Sequence, residues 1–282
     1  MTFQLPTIRS LLIEAERRLN GSDTGRLDAE VLLCHVLATD RARLYSAKDN
    51  VVSDGVQVRY RELISKRASG VPVAYLTGQR EFWSLPLEVN DHTLIPRPET
   101  EHLVETALEL IRTEDLRRIA DLGTGSGAIA LAIRSERPGC DVVATDISEA
   151  ALALAQDNAA RLDISGIDFR LGDWCEALAG ETFDLIVSNP PYVADNDPYL
   201  HQGDLRFEPR LALAAGTDGL DAIRRILAGV RACLRKRGWL ALEHGFDQKE
   251  RLWNLLENHG FQPLKTVRDY GGKERVTVAK LG

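Results

Sequence analysis

The segment Arg117–Ile133, RRIADLGTGSGAIALAI, narrows most sharply the folds open to this chain. Residues of strand character run into Gly123, Gly125 and Gly127, and a helical apolar pattern begins at once behind them. Glycines there permit a tight turn and let a ligand approach the backbone, while the helix start offers free N–H groups. From Pro98 onward strands and helices alternate. Strand character recurs in CDVVATDI, IDFRLGD, FDLIVSNPP and GWLALEHG, and helical patterns include PETEHLVETALELIR, LDAIRRILAGVRACLRK and KERLWNLLENHG. Such alternation predicts an α/β fold, a mostly parallel sheet covered by helices, with ligands at the carboxyl ends of the strands. The final segment, FQPLKTVRDYGGKERVTVAKL, reads as two strands around Gly271-Gly272 and predicts an antiparallel pair. That ending is unusual for a dinucleotide-binding Rossmann domain.

Three strand ends carry chemistry. Asp146 closes the second strand, 21 residues after Gly125, where a carboxylate accepts both hydroxyls of a ribose. Asp173 and Trp174 close the third, and an aromatic there suits the face of an adenine. Gly123-x-Gly125-x-x-Ala128 also satisfies the looser dinucleotide fingerprint, so the loop alone leaves NAD and S-adenosylmethionine equally open. A glycine turn without a cofactor is the plainer alternative.

The fourth strand ends in IVSNPPYVAD, Ile186–Asp195. Two adjacent prolines remove two backbone donors and fix two φ angles, so no interior strand continues through them. The Asn189 side-chain oxygen and the Pro190 carbonyl are then acceptors that no regular ladder consumes. Two acceptors held rigidly side by side match a planar –NH2 group, and Tyr192 can cover its flat face. The lone pair of such a nitrogen is delocalised. Two hydrogen bonds cannot abolish that resonance, but they aim the nitrogen at an electrophile, and orientation supplies roughly 7–11 kcal/mol. A sulfonium methyl is the natural electrophile, and no dedicated strong base is evident. A strand terminator with an incidental Asn is the alternative.

The first ~70 residues carry helical signals and no convincing strand. Ile8, Leu11, Leu12, Ala15 and Leu19 share a helical face, LDAEVLLCHVLA continues it, and Ser53 is an N-cap candidate for a third helix. In residues 71–97, FWSLPLEV and TLIP flank Asn90-Asp91, which predicts a hairpin between two domains. The expected domains are therefore a helical module at 1–70, a β-hairpin linker at 71–97 and an α/β domain at 98–282.

A formal charge of −7 gives the whole chain no large electrostatic drive toward nucleic acid. Cys34, Cys140, Cys175 and Cys233 show no metal spacing and read as reduced thiols; the six histidines are scattered, and no metal site is expected. The N-terminus lacks a signal-peptide pattern and no apolar run approaches a membrane span, so a cytoplasmic protein without membrane contact is expected.

Taken together, LTGQREFWSLPLEV, TLIPRPETE, DLGTGSGAIALA, SNPPY, QGDLRFEP, LEHG and RDYGGKERVTV resemble the release-factor glutamine methyltransferases over essentially the whole chain. NPPY and the glycine loop are shared with many amino-methyltransferases; LIPRPETE joined to a helical N-terminal module is far more specific. The resemblance implies a class I S-adenosylmethionine-dependent methyltransferase, with a seven-stranded Rossmann-like sheet and a small all-helical N-terminal domain. It implies N5-methylation of the glutamine in the Gly-Gly-Gln motif of class I peptide chain release factors. By motif, Gly123, Thr124, Gly125, Ser126 and Gly127 would line S-adenosylmethionine, Asp146 its ribose and Trp174 its adenine. Asn189, Pro190, Pro191 and Tyr192 would hold the glutamine amide, with Asn189 also close to the cofactor and the expected catalytic residue. A monomer that binds no nucleic acid stably is expected. Arg97, Glu99 and Glu101 either frame the substrate entrance or cap the helix that follows, His244 reads as structural, and ADNDPYLHQGDLRFEPRLAL as a substrate-binding loop. The nearest rival is an RNA or DNA methyltransferase acting on the exocyclic amino group of adenine or guanine. A nicotinamide-dependent oxidoreductase and a non-catalytic adaptor for a release factor are the others.

Overall fold

The computed structural model describes residues 5–282. It resolves into two compact units, Met1–Gly78 and Gln79–Gly282, against expected limits of 1–70, 71–97 and 98–282. The first unit contains α1 (Ile8–Arg18), α2 (Gly25–Leu37), α3 (Arg41–Ser46), α4 (Asp54–Ala68) and α5 (Val73–Thr77). Its core is the apolar face anticipated from the spacing: Ile8, Leu11, Ala15 and Leu19 pack with Leu32, Leu33, Tyr60 and Ile64. Ser53 precedes α4 as expected, though its side chain makes no capping bond. The short α3 is capped instead by Asp40, which accepts from the amide of Arg43 at 2.8 Å.

The second unit opens with a hairpin, β1 (Gln79–Phe82) and β2 (Leu85–Glu88). Its turn is Trp83-Ser84, so the expectation of a turn at Asn90-Asp91, with TLIP as a strand, is corrected. Both turn residues have positive φ, 53° and 58°, as a two-residue type I′ turn demands. Tertiary bonds hold this conformation without glycine: Glu101 Oε1 accepts from the Trp83 amide at 2.9 Å and Glu136 Oε1 from its indole at 3.0 Å. Asn90 instead caps a local turn, its Oδ1 accepting from the His92 amide at 3.0 Å.

The sheet that follows contains β3 (Arg118–Leu122), β4 (Asp141–Asp146), β5 (Ile167–Leu171), β6 (Phe183–Ser188), β7 (Leu234–Glu243), β8 (Phe261–Arg268) and β9 (Glu274–Leu281). Their spatial order is β5-β4-β3-β6-β7-β9-β8. Every pairing is parallel except those of β9, which runs antiparallel to both neighbours, as the ending of the sequence predicts. The helices are α6 (Glu101–Glu114), α7 (Ala128–Glu136), α8 (Glu149–Arg161), α9 (Asp221–Cys233) and α10 (Lys249–Asn258).

Period-two alternation splits the strands between two cores. Ile119, Leu185, Val187, Ala241 and Val278 face one side with residues of α6 and α7. Ala120, Leu122, Ile186, Leu240 and Leu242 face the other with residues of α9 and α10. Because both faces are covered, the central strands are continuous hydrophobic runs. The chain order reverses between β3 and β6, so their carboxyl ends diverge there and leave a crevice.

Candidate active site

A cavity of about 320 Å³ occupies that crevice. Gly123, Thr124, Gly125, Ser126, Asp146, Trp174, Asn189 and Pro191 line it, joined by Arg97 and Thr100. Gly127, Pro190 and Tyr192 adjoin these residues in the chain and are not themselves among the lining.

The β3 end is built by backbone. The amides of Gly123 and Thr124 both donate to the Thr145 carbonyl of β4, at 2.8 and 2.9 Å. Gly123 has φ 73°, and a Cβ there would stand 3.1 Å from the Trp174 ring. Gly127 has φ 86°, and a Cβ would meet Leu131 Cδ1 at 3.0 Å and Ala155 Cβ at 3.1 Å, so its part is close packing of α7 on α8. A Cβ at Gly125 would meet nothing within 4 Å, which leaves room beside the loop for a ligand. Asn158 of α8 clamps the loop to the hairpin, its Nδ2 donating to the carbonyls of Ser126 and Glu88 at 3.0 Å each.

Asp146 accepts from the Gly125 amide on Oδ2 and from the Ser148 amide on Oδ1, both at 2.9 Å. Burial pushes its carboxyl up from the usual range, and these amides partly oppose the shift. Asp121, one turn below the loop, is fully buried; its Oδ2 accepts from the Thr124 hydroxyl at 2.7 Å and its Oδ1 has no partner. Burial pushes it up to about 7. An acid on the cavity wall, an indole and an open glycine loop fit a nucleoside-bearing cofactor.

The β6 end is built by side chains. Asn189 Nδ2 donates to Thr100 Oγ1 at 3.1 Å, and Asn189 Oδ1 takes no hydrogen bond from the described residues. No backbone amide among them donates to the Pro190 carbonyl. The Tyr192 phenol points away toward Glu243 Oε1, at 3.4 Å, and burial raises its pKa. The Tyr192 carbonyl accepts from Gln248 Nε2 at 2.9 Å.

The PRPETE segment divides. Arg97 lines the cavity and pairs with the buried Glu208, which also accepts from the Ile95 amide at 3.0 Å. That pair ties the segment to the loop after the proline corner, whose Pro209, Leu211 and Ala212 form part of the wall. Glu101 serves the hairpin turn, as described. His244 is buried between Thr277 Oγ1 and the Gly245 carbonyl, at 2.9 and 2.8 Å, with its pKa lowered by burial. Thr100, Asn158, Glu208 and Glu243 were missed from sequence. Glu243 carried a usable signal, since it is an acid at the carboxyl end of an apolar strand, as Asp146 is.

Comparison with known proteins places the chain in a family. Residues 10–78 match the family model described as PrmC N-terminal domain, and residues 100–202 match that of the methyltransferase small domain. The chain is 51% identical over 276 residues to the release factor glutamine methyltransferase of Xylella fastidiosa strain 9a5c, covering 98% of each. It is 46% identical over 269 residues to that of Escherichia coli K12, covering 95% of this chain and 97% of that one. Among solved structures, the hMettl16 catalytic domain in complex with MAT2A 3′UTR hairpin 6 is similar, with a TM-score of 0.53 over 83% of this chain and 84% of that one. At 19% identity that likeness shows the fold alone.

Proposed function

The chain belongs to the release factor glutamine methyltransferases, and on that premise we propose that it methylates N5 of the glutamine in the Gly-Gly-Gln motif of class I peptide chain release factors. The methyl donor is S-adenosylmethionine. The observation that carries the reading is the arrangement of Asn189: its nitrogen is engaged by Thr100 while its oxygen is left as an acceptor on the cavity wall.

The loop of Gly123, Thr124, Gly125, Ser126 and Gly127 holds the cofactor, with Asp146 accepting its ribose hydroxyls and Trp174 packing on its adenine. When bound, S-adenosylmethionine would supply an electrophilic methyl for the amide nitrogen, with its thioether as leaving group and the amide proton passing to solvent. Asn189 Oδ1 and the Pro190 carbonyl each accept one N–H of the glutamine amide. Pro191 stiffens the corner; the Tyr192 ring, expected over the amide face, turns toward Glu243 instead and backs the corner from behind. Two short acceptors fix the nitrogen in the attacking direction, which is most of what this displacement needs.

A cytoplasmic monomer that holds no nucleic acid stably completes the proposal. In support, the net charge is −7 and no described helix is long and apolar enough to cross a membrane. The test supplies labelled S-adenosylmethionine with, separately, a class I release factor, tRNA, rRNA and DNA. Label is expected in the Gly-Gly-Gln peptide of the release factor. Label in a nucleic acid, with none in the release factor, overturns the reading.

A further inference from the structure

An asparagine amide is nearly symmetric in shape, so turning it by half a revolution exchanges acceptor for donor. Facing an incoming –NH2, one orientation binds and the other sets donor against donor. Something behind Asn189 must therefore decide which atom faces the cavity. Thr100 Oγ1, 3.1 Å from Nδ2, is the group in contact. A hydroxyl alone cannot decide, because it donates as readily as it accepts. The decision passes to whatever consumes the single proton of Thr100.

We propose that Glu243 and Thr100 are positioning residues for methyl transfer: the Thr100 hydroxyl donates its one hydrogen bond to the buried, unpartnered Glu243 carboxylate oxygen, so that Thr100 must accept from Asn189 and Asn189 Oδ1 must face the substrate amide. The inference rests on the reading of Asn189 as the amide clamp. Glu243 closes β7 and is fully buried; its Oε1 faces the Tyr192 phenol and its Oε2 is an acceptor that takes no hydrogen bond from the described residues. Thr100 is buried as well, and its hydroxyl, which accepts from Asn189, donates to no group among them. Burial pushes its carboxyl up to about 7, while the Thr100 hydroxyl, the Arg275 guanidinium and the Tyr192 phenol favour the charged form and Glu99 opposes it. Arg275 is itself held by Asp269 at 2.9 Å. The neighbouring His244 is buried and engaged elsewhere. An ionised carboxylate is acceptor-only, so one buried acid orients two hydroxyls, one behind each end of the proline corner.

Protonation reverses the logic. A neutral Glu243 donates to Thr100 or Tyr192, the Thr100 proton is released toward Asn189, and the flipped amide becomes populated. Turnover therefore falls on the acid side as Glu243 takes up its proton, near pH 7.

The test measures single-turnover methylation of a release factor across pH for the wild type, Thr100→Val, Thr100→Ser, Glu243→Gln and Asn189→Ala, with cofactor affinity alongside. Thr100→Val keeps the volume and loses the hydroxyl; Thr100→Ser keeps the hydroxyl and loses the methyl. We expect Thr100→Val to be slowed about tenfold or more and Thr100→Ser to stay within about threefold of wild type. Glu243→Gln should lose the acid limb near pH 7 and run about tenfold slower on the plateau, with cofactor affinity held. An active Thr100→Val beside an impaired Thr100→Ser overturns the relay by showing that Thr100 serves through packing. This serine–valine pair decides even if Glu243→Gln fails to fold. An unchanged acid limb in a folded Glu243→Gln also overturns it. Asn189→Ala separates the two levels. If it turns over normally, the clamp reading itself fails; if it is dead while Thr100→Val is normal, only the relay does.

Discussion

The carboxyl ends of β3 and β6 face each other across one cavity and are built by opposite means. At β3 the chain bends back on its neighbour through backbone: Gly123 and Thr124 donate to Thr145, and Gly125 donates to Asp146. At β6 two prolines strip the chain of backbone donors, and side chains from distant segments take over. Thr100 engages Asn189, Glu243 faces Tyr192, and Gln248 holds the Tyr192 carbonyl. Backbone-built surfaces accept many side-chain changes with only a loss of affinity. A surface built from a few oriented side chains loses its chemistry when one is removed. Substitutions at the two ends should therefore separate binding from turnover.

The sharpest way to break this contrast is Asn189→Ala. On the proposed clamp, deleting the side chain would remove one of two acceptors that act only on the correctly posed amide. We expect kcat to fall roughly 100-fold or more, by analogy with loss of one preorganised hydrogen-bonding group, with cofactor affinity within about threefold of wild type. Stopped turnover and isothermal binding of S-adenosylmethionine report the two quantities separately. A variant that loses cofactor and turnover together would mean that the β6 end is part of the cofactor seat.

How much of this was legible before the fold was known follows the same division. The glycine loop, Asp146 and the proline corner could be read because local backbone chemistry dictates residue type at each. Glycine tolerates φ near 73°, and proline forbids a ladder. The side-chain half could not. Glu208 lies 111 residues from Arg97, and nothing in either local sequence announces the pair. Thr100, in a stretch that reads as a helix entry, gives no sign that it supports Asn189, 89 residues away. The hairpin turn failed for a related reason. Its positive φ values fall on Trp83 and Ser84, held by Glu101 and Glu136, whereas turn chemistry pointed to Asn90-Asp91.

At the β3 end, Asp146→Asn is the sharpening variant. It keeps an oxygen for one backbone amide and gives up the charge that two ribose hydroxyls would share. Hydrogen bonds to a charged acceptor are worth about 1.5–3 kcal/mol, so the dissociation constant for S-adenosylmethionine should rise about tenfold or more. Rates at saturating cofactor should stay within about threefold of wild type, since the clamp is untouched. A collapse of the saturated rate would show that Asp146 also poises the reacting groups, and the two ends would no longer be separable.

The smallest effect concerns the acid buried behind each end. Glu243 and Asp121 are both pushed up to about 7, but Asp121 faces the Thr124 hydroxyl and the Ala130 backbone and backs the loop that the main chain already shapes. Its protonation should therefore register in stability. An unfolded aspartate ionises near pH 3.9. Between that value and about 7 the folded state keeps a proton that the unfolded state has released. The contribution of Asp121 is thus fully present below the unfolded pKa and is lost as pH rises through 7. Asp121→Asn is neutral at every pH and retains an oxygen for the Thr124 hydroxyl. Its stability relative to wild type should rise between pH 5 and pH 8, by roughly 1–3 kcal/mol, the upper end being two pH units of linkage. Thermal melts at the two pH values, with the wild type beside the variant, measure that difference of differences. A gain that is the same at both would mean that Asp121 is already ionised at pH 5 in the folded protein, stabilised by donors that burial has not outweighed. The two strand ends would then differ in their buried acids as well as in how they are built.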